Sequence, residues 1–440
     1  MRKFYQLAMV ALAAFATNQA QAQNCNCMVP LDETFSVVPF NSGTAPDYRN
    51  DDGFSAAIAL PFTFNLYGTE QSEVYINNNG NLSFGGGYSS FVASGFPIAN
   101  FPMVAAYWAD VDTRGLNSGL VYYRVSDHEM VVRYNAVGYF ANGDDLLNDF
   151  QIIISDGSSE LVPAGQNISF CYGDMQWATS GSGFGGSPAN VGANAGNGVN
   201  AAQIGFFDSA GTAYDGAYGN NDGVDYLDNM QIYFSTNPIG ANQSPIGVTN
   251  YCDTIIGNPG DSLAFFFYDP DADQVLGYDL DTQGEDGITG EEGFDGLTVV
   301  DGNILQARLD AGDRDNNPFS YVVYISPDIV DGLYPFTVTA SDNGTPALSI
   351  SRDYVLQIGT VRTPELAPIK GAYAYIANNE LMIQGLDRSK GYDVFVYDAS
   401  GKLVLSGNTR NTIATAQLAN GIYNYTIQNG SELVSGKISK

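Results

Sequence analysis

At 440 residues the chain has room for two to four domains. Its 17 basic side chains against 48 acidic ones give a formal charge of −31, which argues against nucleic acid or an anionic lipid surface as partner. Gly at 50, Tyr at 28 and Phe at 25, with few long helix-type patterns, indicate an all-β extracellular protein.

The N-terminus predicts export. Arg2 and Lys3 precede an apolar run from Leu7 to Thr17, and Ala20-Gln21-Ala22 forms a small-x-small cleavage site. Residues 1–22 are therefore expected to be a signal peptide cut between Ala22 and Gln23. That run is too short to span a bilayer, and no later segment reads as a transmembrane helix. In an oxidising compartment Cys25, Cys27, Cys171 and Cys252 are disulfide candidates, with three pairings open. A metal site is the alternative, but Cys-x-Cys with two distant partners lacks zinc-ribbon spacing.

A first domain is expected over residues 23–240. From Phe35 to Phe234 short strands alternate with turn clusters, including a hairpin in SEVYINNNGNLSF, where Asn79-Gly80 supplies residues that tolerate positive φ. Two apolar runs, Val104–Ala109 and Leu120–Val125, flank an Asp-, Gly- and Asn-rich turn and read as two strands joined by a loop. Ser180–Asn200, rich in Gly and Asn, reads as a long loop. The phrases YWADVDT and GLVYYR, with VYINNNGNLSF upstream and NDFQIIISDG, ISFCYGDMQW and AAQIGFFDSAG downstream, resemble the nidogen-type extracellular (NIDO) domain over roughly residues 30–236. That resemblance implies an interaction module of the kind associated with cell–matrix adhesion.

Ser235–Gly247 reads as a Pro- and Gly-punctuated linker, followed by a second domain at 248–361. Its phrases YDPDADQVLGYDLD and YPFTVTASDNGTPALS resemble cadherin-like and bacterial immunoglobulin-like modules, implying a β-sandwich. Asp269, Asp271 and Asp273 alternate along one loop, with Asp279 and Asp281 close behind. Crowded carboxylates suit a hard cation, and cadherin-like domains use an Asp-x-Asp here for Ca²⁺; the alternative is a solvated loop with the carboxylates splayed into water. No other cofactor is expected. Asp110 and Asp112 form a second alternating pair, read as turn-stabilising acceptors of backbone N–H groups, with a calcium or ligand role as the alternative.

After RTPELAPIKG comes a compact tail at 372–440. VYDASGKLV, LANGIYNYTI and the final GKISK resemble the type A C-terminal sorting domain of the type IX secretion system, a small β-sandwich. Asp398, Gly401, Gly421, Tyr423 and Lys437 stand in those motifs. The resemblance implies engagement of the secretion machinery, passage across the outer membrane of a Gram-negative bacterium, and release or surface attachment.

Catalytic patterns are scarce. The one histidine, His128, has neither a Gly-x-Ser-x-Gly elbow nor a zinc-binding helix beside it, and no carboxylate pair stands out for glycoside cleavage. The expectation is tandem β-sandwich-type domains forming a non-enzymatic adhesion protein, secreted or held at the outer cell surface. Its partner would be an extracellular matrix, glycan or surface protein ligand. The alternatives are a secreted carbohydrate-active or other hydrolase with accessory modules, and a structural surface-layer spacer.

Overall fold

The structure is a computed structural model describing residues 27–440, apart from 179–187, 218, 220–221, 238–241, 272–273, 283–296, 301–318, 326–328, 360–366, 369–371, 378, 387–389, 398–402 and 430–431. Ala22, Gln23, Cys25, Asp273, Asp398 and Gly401 lie outside the described residues, as do residues 1–22, where a signal peptide is expected. The chain is almost wholly β and forms two compact units, Met1–Thr360 and Val361–Lys440.

Two sheets pack face to face in the first domain. One runs Ile58–Leu66, Thr69–Asn77, Asn81–Ser83, Met103–Trp108, Ala189–Asn194, Ala201–Ser209, Asp222–Gly223. Opposite it lie Ser36–Val37, Val121–Val125, Glu129–Tyr139, Gly143–Ser155, Ile168–Met175 and Gln231–Phe234. Between them Val104, Ala106 and Tyr107 meet Val132, Tyr134, Phe150, Ile152 and Phe170 in one core. Tyrosine hydroxyls cross the gap and donate to backbone carbonyls of the facing sheet: Tyr134 to Asn77 at 2.5 Å and Tyr172 to Ala106 at 2.7 Å. A buried hydroxyl left unpaired would be costly, so each such pair fixes one sheet's position over the other.

The predicted hairpin forms, with Asn77 opposite Asn81 and Gly80 at φ 79°. Any Cβ on Gly80 would fall 1.8 Å from the Tyr107 carbonyl oxygen, so glycine is required there. The runs flanking the Asp-rich turn are both strands, but they lie in opposite sheets, and the chain between them crosses the sandwich. Where a loop was expected at Ser180–Asn200, Ala189–Asn194 is a fully buried central strand between Met103–Trp108 and Ala201–Ser209. Its polar side chains are internal fasteners. Asn194 accepts from the Ile98 N–H and donates to the Ile98 and Phe101 carbonyls, and Asn190 accepts from Gln203.

Cys27 and Cys171 are joined by a disulfide with 5.7 Å between Cα atoms, closing a span of 144 residues. In the chain-entropy account a loop of that length is worth about 5 kcal/mol. The bridge draws residues 27–35 across the outer face of the sheet, where Val29 and Phe35 cover Val131 and Ile153. Cys252 is also disulfide-bonded.

The linker expected at Ser235–Gly247 is not a free tether. Ile246–Thr249 pairs antiparallel with Gln231–Phe234 on one side and with Ser262–Tyr268 on the other, so one sheet runs from the first domain into the second. Pro245 immediately precedes the paired strand Ile246–Thr249. The second domain completes a sandwich with Thr254–Gly257, Ser349–Ile358, Gly332–Ser341 and Gly277–Asp281, and Tyr233 of the first domain belongs to its core. Arg352 clamps the junction: it donates to Gln231 at 2.6 Å and to Asp253 at 3.1 Å, and lies over the rings of Tyr233 and Tyr354.

In the second unit Asp393–Tyr397 pairs with Leu403–Asn408 and with Ile422–Gln428, which pairs with Glu432–Ser439. Gly421 and Lys440 exchange backbone hydrogen bonds, Tyr423 is buried with its hydroxyl on the Ala419 carbonyl, and Lys437 is exposed opposite Asn424.

Replacing Arg352 by Met keeps most of the apolar stem but removes the bond to Gln231 and both ring contacts. A loss of about 2–3 kcal/mol is expected, read by chemical unfolding of the full chain. An unchanged midpoint would show that the clamp contributes nothing.

Candidate functional site

The strand Met103–Trp108 delivers its C-terminal end to the place where the chain crosses between sheets. Three segments meet there: the turn Arg49–Gly53, the hairpin tip Asn78–Gly80, and the corner Ala109–Arg114. The asparagines of the INNNGN phrase fasten them, each in its own direction. Asn77 Oδ1 accepts from the Tyr88 N–H, Asn78 donates to the Val111 carbonyl, and Asn79 accepts from the Val111 N–H at 3.0 Å while donating to Asp52 Oδ1 at 2.7 Å. Asn50 and Thr113 bind each other's backbone, and Arg49 reaches the carbonyls of Thr113, Gly115 and Ser118.

Four carboxylates share this corner: Asp51, Asp52, Asp110 and Asp112. The last is the turn acceptor expected of it. Asp112 takes the Arg114 N–H at 2.9 Å, the Asn142 N–H at 2.8 Å and two bonds from the Arg114 guanidinium, which holds its carboxyl below the usual range despite full burial. Asp110 does not share that role. It is 3% exposed, and its Oδ1 is buried with no hydrogen-bond partner. Burial first, and then Asp51, Asp52 and Asp112, push its carboxyl up to about 7. Asp51 is pushed up to about 6 by burial, Asp52 and Asp112, although Arg114 lies 2.7 Å from its Oδ2. Its Oδ1 is also buried and unpaired.

One oxygen each from Asp51, Asp52 and Asp110 lies within 4.8 Å of the others, the one such cluster among the described residues that could hold a metal ion. At an effective dielectric near 20, each ionised pair at that spacing repels by about 3–4 kcal/mol. Only Asp110 of the three stands out in the sequence. Nothing local to Asp51-Asp52-Gly53 places it beside residue 110.

The predicted Asp-x-Asp loop sits at the junction with the second domain. Asp271 accepts from the Gln243 backbone at 2.7 Å, the Gln243 amide at 2.9 Å and Gln274 at 3.1 Å, so it anchors the incoming chain. Asp269 takes the Asp271 N–H, while its Oδ2 is buried and unpaired. Burial, then Asp271 and Asp342, push it up to about 7. His128 is exposed and, among the described residues, its side chain pairs with Asp156 alone, at 3.0 Å, which raises its pKa.

Two sandwiches sharing a sheet, followed by a separate small β unit, define a modular all-β protein. Residues 29–203 match the family described as NIDO related, and residues 377–440 match the secretion system C-terminal sorting domain. The chain thus carries a NIDO-related domain and, at its other end, the address of a secreted or outer-surface protein. Human alpha-tectorin is 28% identical over 218 residues, covering 42% of this chain and 9% of that protein. Drosophila melanogaster nidogen is 26% identical over 155 residues, covering 29% of this chain and 11% of that protein. The chain therefore spans about a tenth of the length of these relatives. Among solved structures, Drosophila N-cadherin EC1-4 aligns at 11% identity over 48% of this chain and 55% of that one, with a TM-score of 0.18. Mouse cadherin-23 EC22-24 aligns at 14% over 42% and 61%, with a TM-score of 0.16. Scores that low define no shared arrangement. No helix among the described residues is long and apolar enough to cross a membrane.

The raised Asp110 and Asp51 carboxyls carry a sign. Because the folded state holds these protons up to about 7 and 6, against 3.8 in the unfolded chain, their contribution is most favourable below about 3.8 and is lost as pH rises through the folded values. In chelated buffer Asp110→Asn should therefore gain on the unsubstituted protein by about 2 kcal/mol between pH 4 and 7, a figure discounted for water screening. Urea unfolding at three pH values reads the difference; parallel curves would mean that Asp110 titrates normally.

Proposed function

We propose that this is an adhesion protein of the outer cell surface or surrounding medium, whose NIDO-related domain grips an extracellular matrix component, a glycan or a surface protein, and which performs no catalysis. The observation that supports this most is the pairing, in one chain, of a NIDO-related domain with a secretion sorting domain. The continuous sheet suits the role, since it makes the first two domains a stiff support. Export would follow the type IX route of a Gram-negative bacterium, with the sorting unit engaging the secretion machinery.

The cadherin-like resemblance adds Ca²⁺ at the second domain's Asp-rich loop. The buried, unpaired Asp269 oxygen fits such an ion, whereas Asp271 already holds Gln243 and Gln274. When bound, the ion would offset the crowding of Asp269, Asp271 and Asp342 and brace the junction.

Two measurements test the reading. Deleting residues 361–440 should leave the passenger inside the cell envelope and absent from surface and medium, as read by immunoblot of fractions. Purified full chain, arrayed against matrix proteins and glycans beside an active adhesin, should bind at least one class saturably. Failure on all, or turnover of a polysaccharide or peptide substrate, would overturn the adhesive assignment.

A further inference from the structure

We propose that Asp51, Asp52 and Asp110 bind one Ca²⁺ at the corner of the first domain, a site independent of the Asp-rich loop of the second.

The donor set comes first. Three carboxylates without a histidine or cysteine among them form a hard, all-oxygen site, which suits calcium or magnesium rather than zinc or copper. Ca²⁺ takes oxygens at about 2.3–2.6 Å, so its shell is about 4.6–5.2 Å across; Mg²⁺ at about 2.0–2.1 Å needs a tighter, near-octahedral shell and keeps most of its waters. Three oxygens all within 4.8 Å of one another fit inside the calcium shell.

A ligand is also indicated by what these groups lack. The Asp110 oxygen is sealed from solvent and unpaired, on a residue whose backbone is fixed by the Phe140 N–H donating to its carbonyl. Buried polar atoms are normally hydrogen-bonded, and an orphaned carboxylate oxygen beside two other acids is the costliest kind to leave so. Neither arginine of the corner serves it: Arg49 is spent on the carbonyls of Thr113, Gly115 and Ser118. Arg114 is engaged by Asp112 and by Asp51 Oδ2, and makes no hydrogen bond to Asp52 or Asp110. Asp52 is steadied by Asn79, which leaves its second oxygen available.

An ion here would join the Asp51–Asp52 turn to the end of the strand Met103–Trp108 and, through Asn79, to the hairpin tip. It would hold the place where the chain passes from one sheet to the other. A secreted or outer-surface protein meets calcium at concentrations that load weak extracellular sites, with Kd on the order of 10⁻⁴–10⁻³ M.

The test uses the full chain carrying Asp269→Asn and Asp271→Asn, so that the second domain's loop does not contribute. Calorimetric titration with Ca²⁺ should show one equivalent bound, and thermal unfolding should show a calcium-dependent rise in Tm that Mg²⁺ at the same concentration does not match. Adding Asp110→Asn should weaken binding at least about tenfold and remove the Tm rise, while raising the Tm of the chelated protein. Asp52→Asn, at a less buried position, should weaken binding likewise and serves if the Asp110 variant fails to fold. No binding up to about 10 mM Ca²⁺, or binding that Asp52→Asn and Asp110→Asn leave unaltered, would overturn the site. Adhesion enters none of these readouts, so the site stands or falls apart from the proposed function.

Discussion

Burial of the strand Met103–Trp108 on both faces is the constraint on which the first domain depends. All six residues are buried. Val104, Ala106 and Tyr107 face the opposite sheet, while Met103, Ala105 and Trp108 support a second apolar layer with Ala93 and Phe96. A strand covered on both sides must be central, and it needs a covering segment of its own. Residues 88–101 supply it, held by Trp108 donating to the Ser90 carbonyl, by Tyr88 against the Trp108 ring, and by Asn194 clasping Ile98 and Phe101. Both lateral edges of this strand are taken, by Asn81–Ser83 and Ala189–Asn194, and the chain that leaves it crosses the sandwich. The acidic corner is therefore a consequence of topology: it is where the crossing chain turns, and where backbone groups that have lost their sheet partners are met by side chains.

The same accounting explains the asparagines. Asn77, Asn78, Asn79, Asn81, Asn148 and Asn194 are all buried, yet each is engaged with backbone or with another amide. An amide offers two donors and an acceptor in a short, stiff side chain, which suits it to bridge segments whose hydrogen-bonding patterns do not match. This sandwich is sealed at its crossings by polar bridges and in its middle by aromatic packing, and tyrosine serves both ends of that arrangement.

Legibility follows from these physical roles. Hairpins were readable because Asn-Gly turns and the period-two patterns beside them are local, and the one expected at Asn77–Asn81 is there. The strand Ala189–Asn194 was not. Its small and amide residues look like loop when sequence alone is read, because the signal for a strand is apolar bulk and this one is held by side-chain hydrogen bonds. Ser235–Gly247 misleads for a related reason: Pro and Gly mark a change of direction but do not say whether the chain afterwards is free or paired. Asp110 and Asp112 were visible as a pair, but their division of labour depends on Asn142, Arg114 and Asp51, none of which spacing could bring together.

That division bears on what the corner is for. A turn needs acceptors for stray N–H groups, and Asp112 meets that need together with Asn79, Asn50 and Thr113, with Arg114 balancing its charge. Asp110 adds nothing to that turn, since no donor reaches its Oδ1. A neutral asparagine there would relieve the repulsion from Asp51 and Asp52 while keeping the shape. Selection for stability alone would favour that exchange, because such crowding weakens the fold wherever the acids are ionised. Such strain, which a single substitution would relieve, fits the proposed role of these residues in binding an ion. On the proposal above, the corner is a device for holding a positive charge, placed where its grip also closes the seam between the sheets.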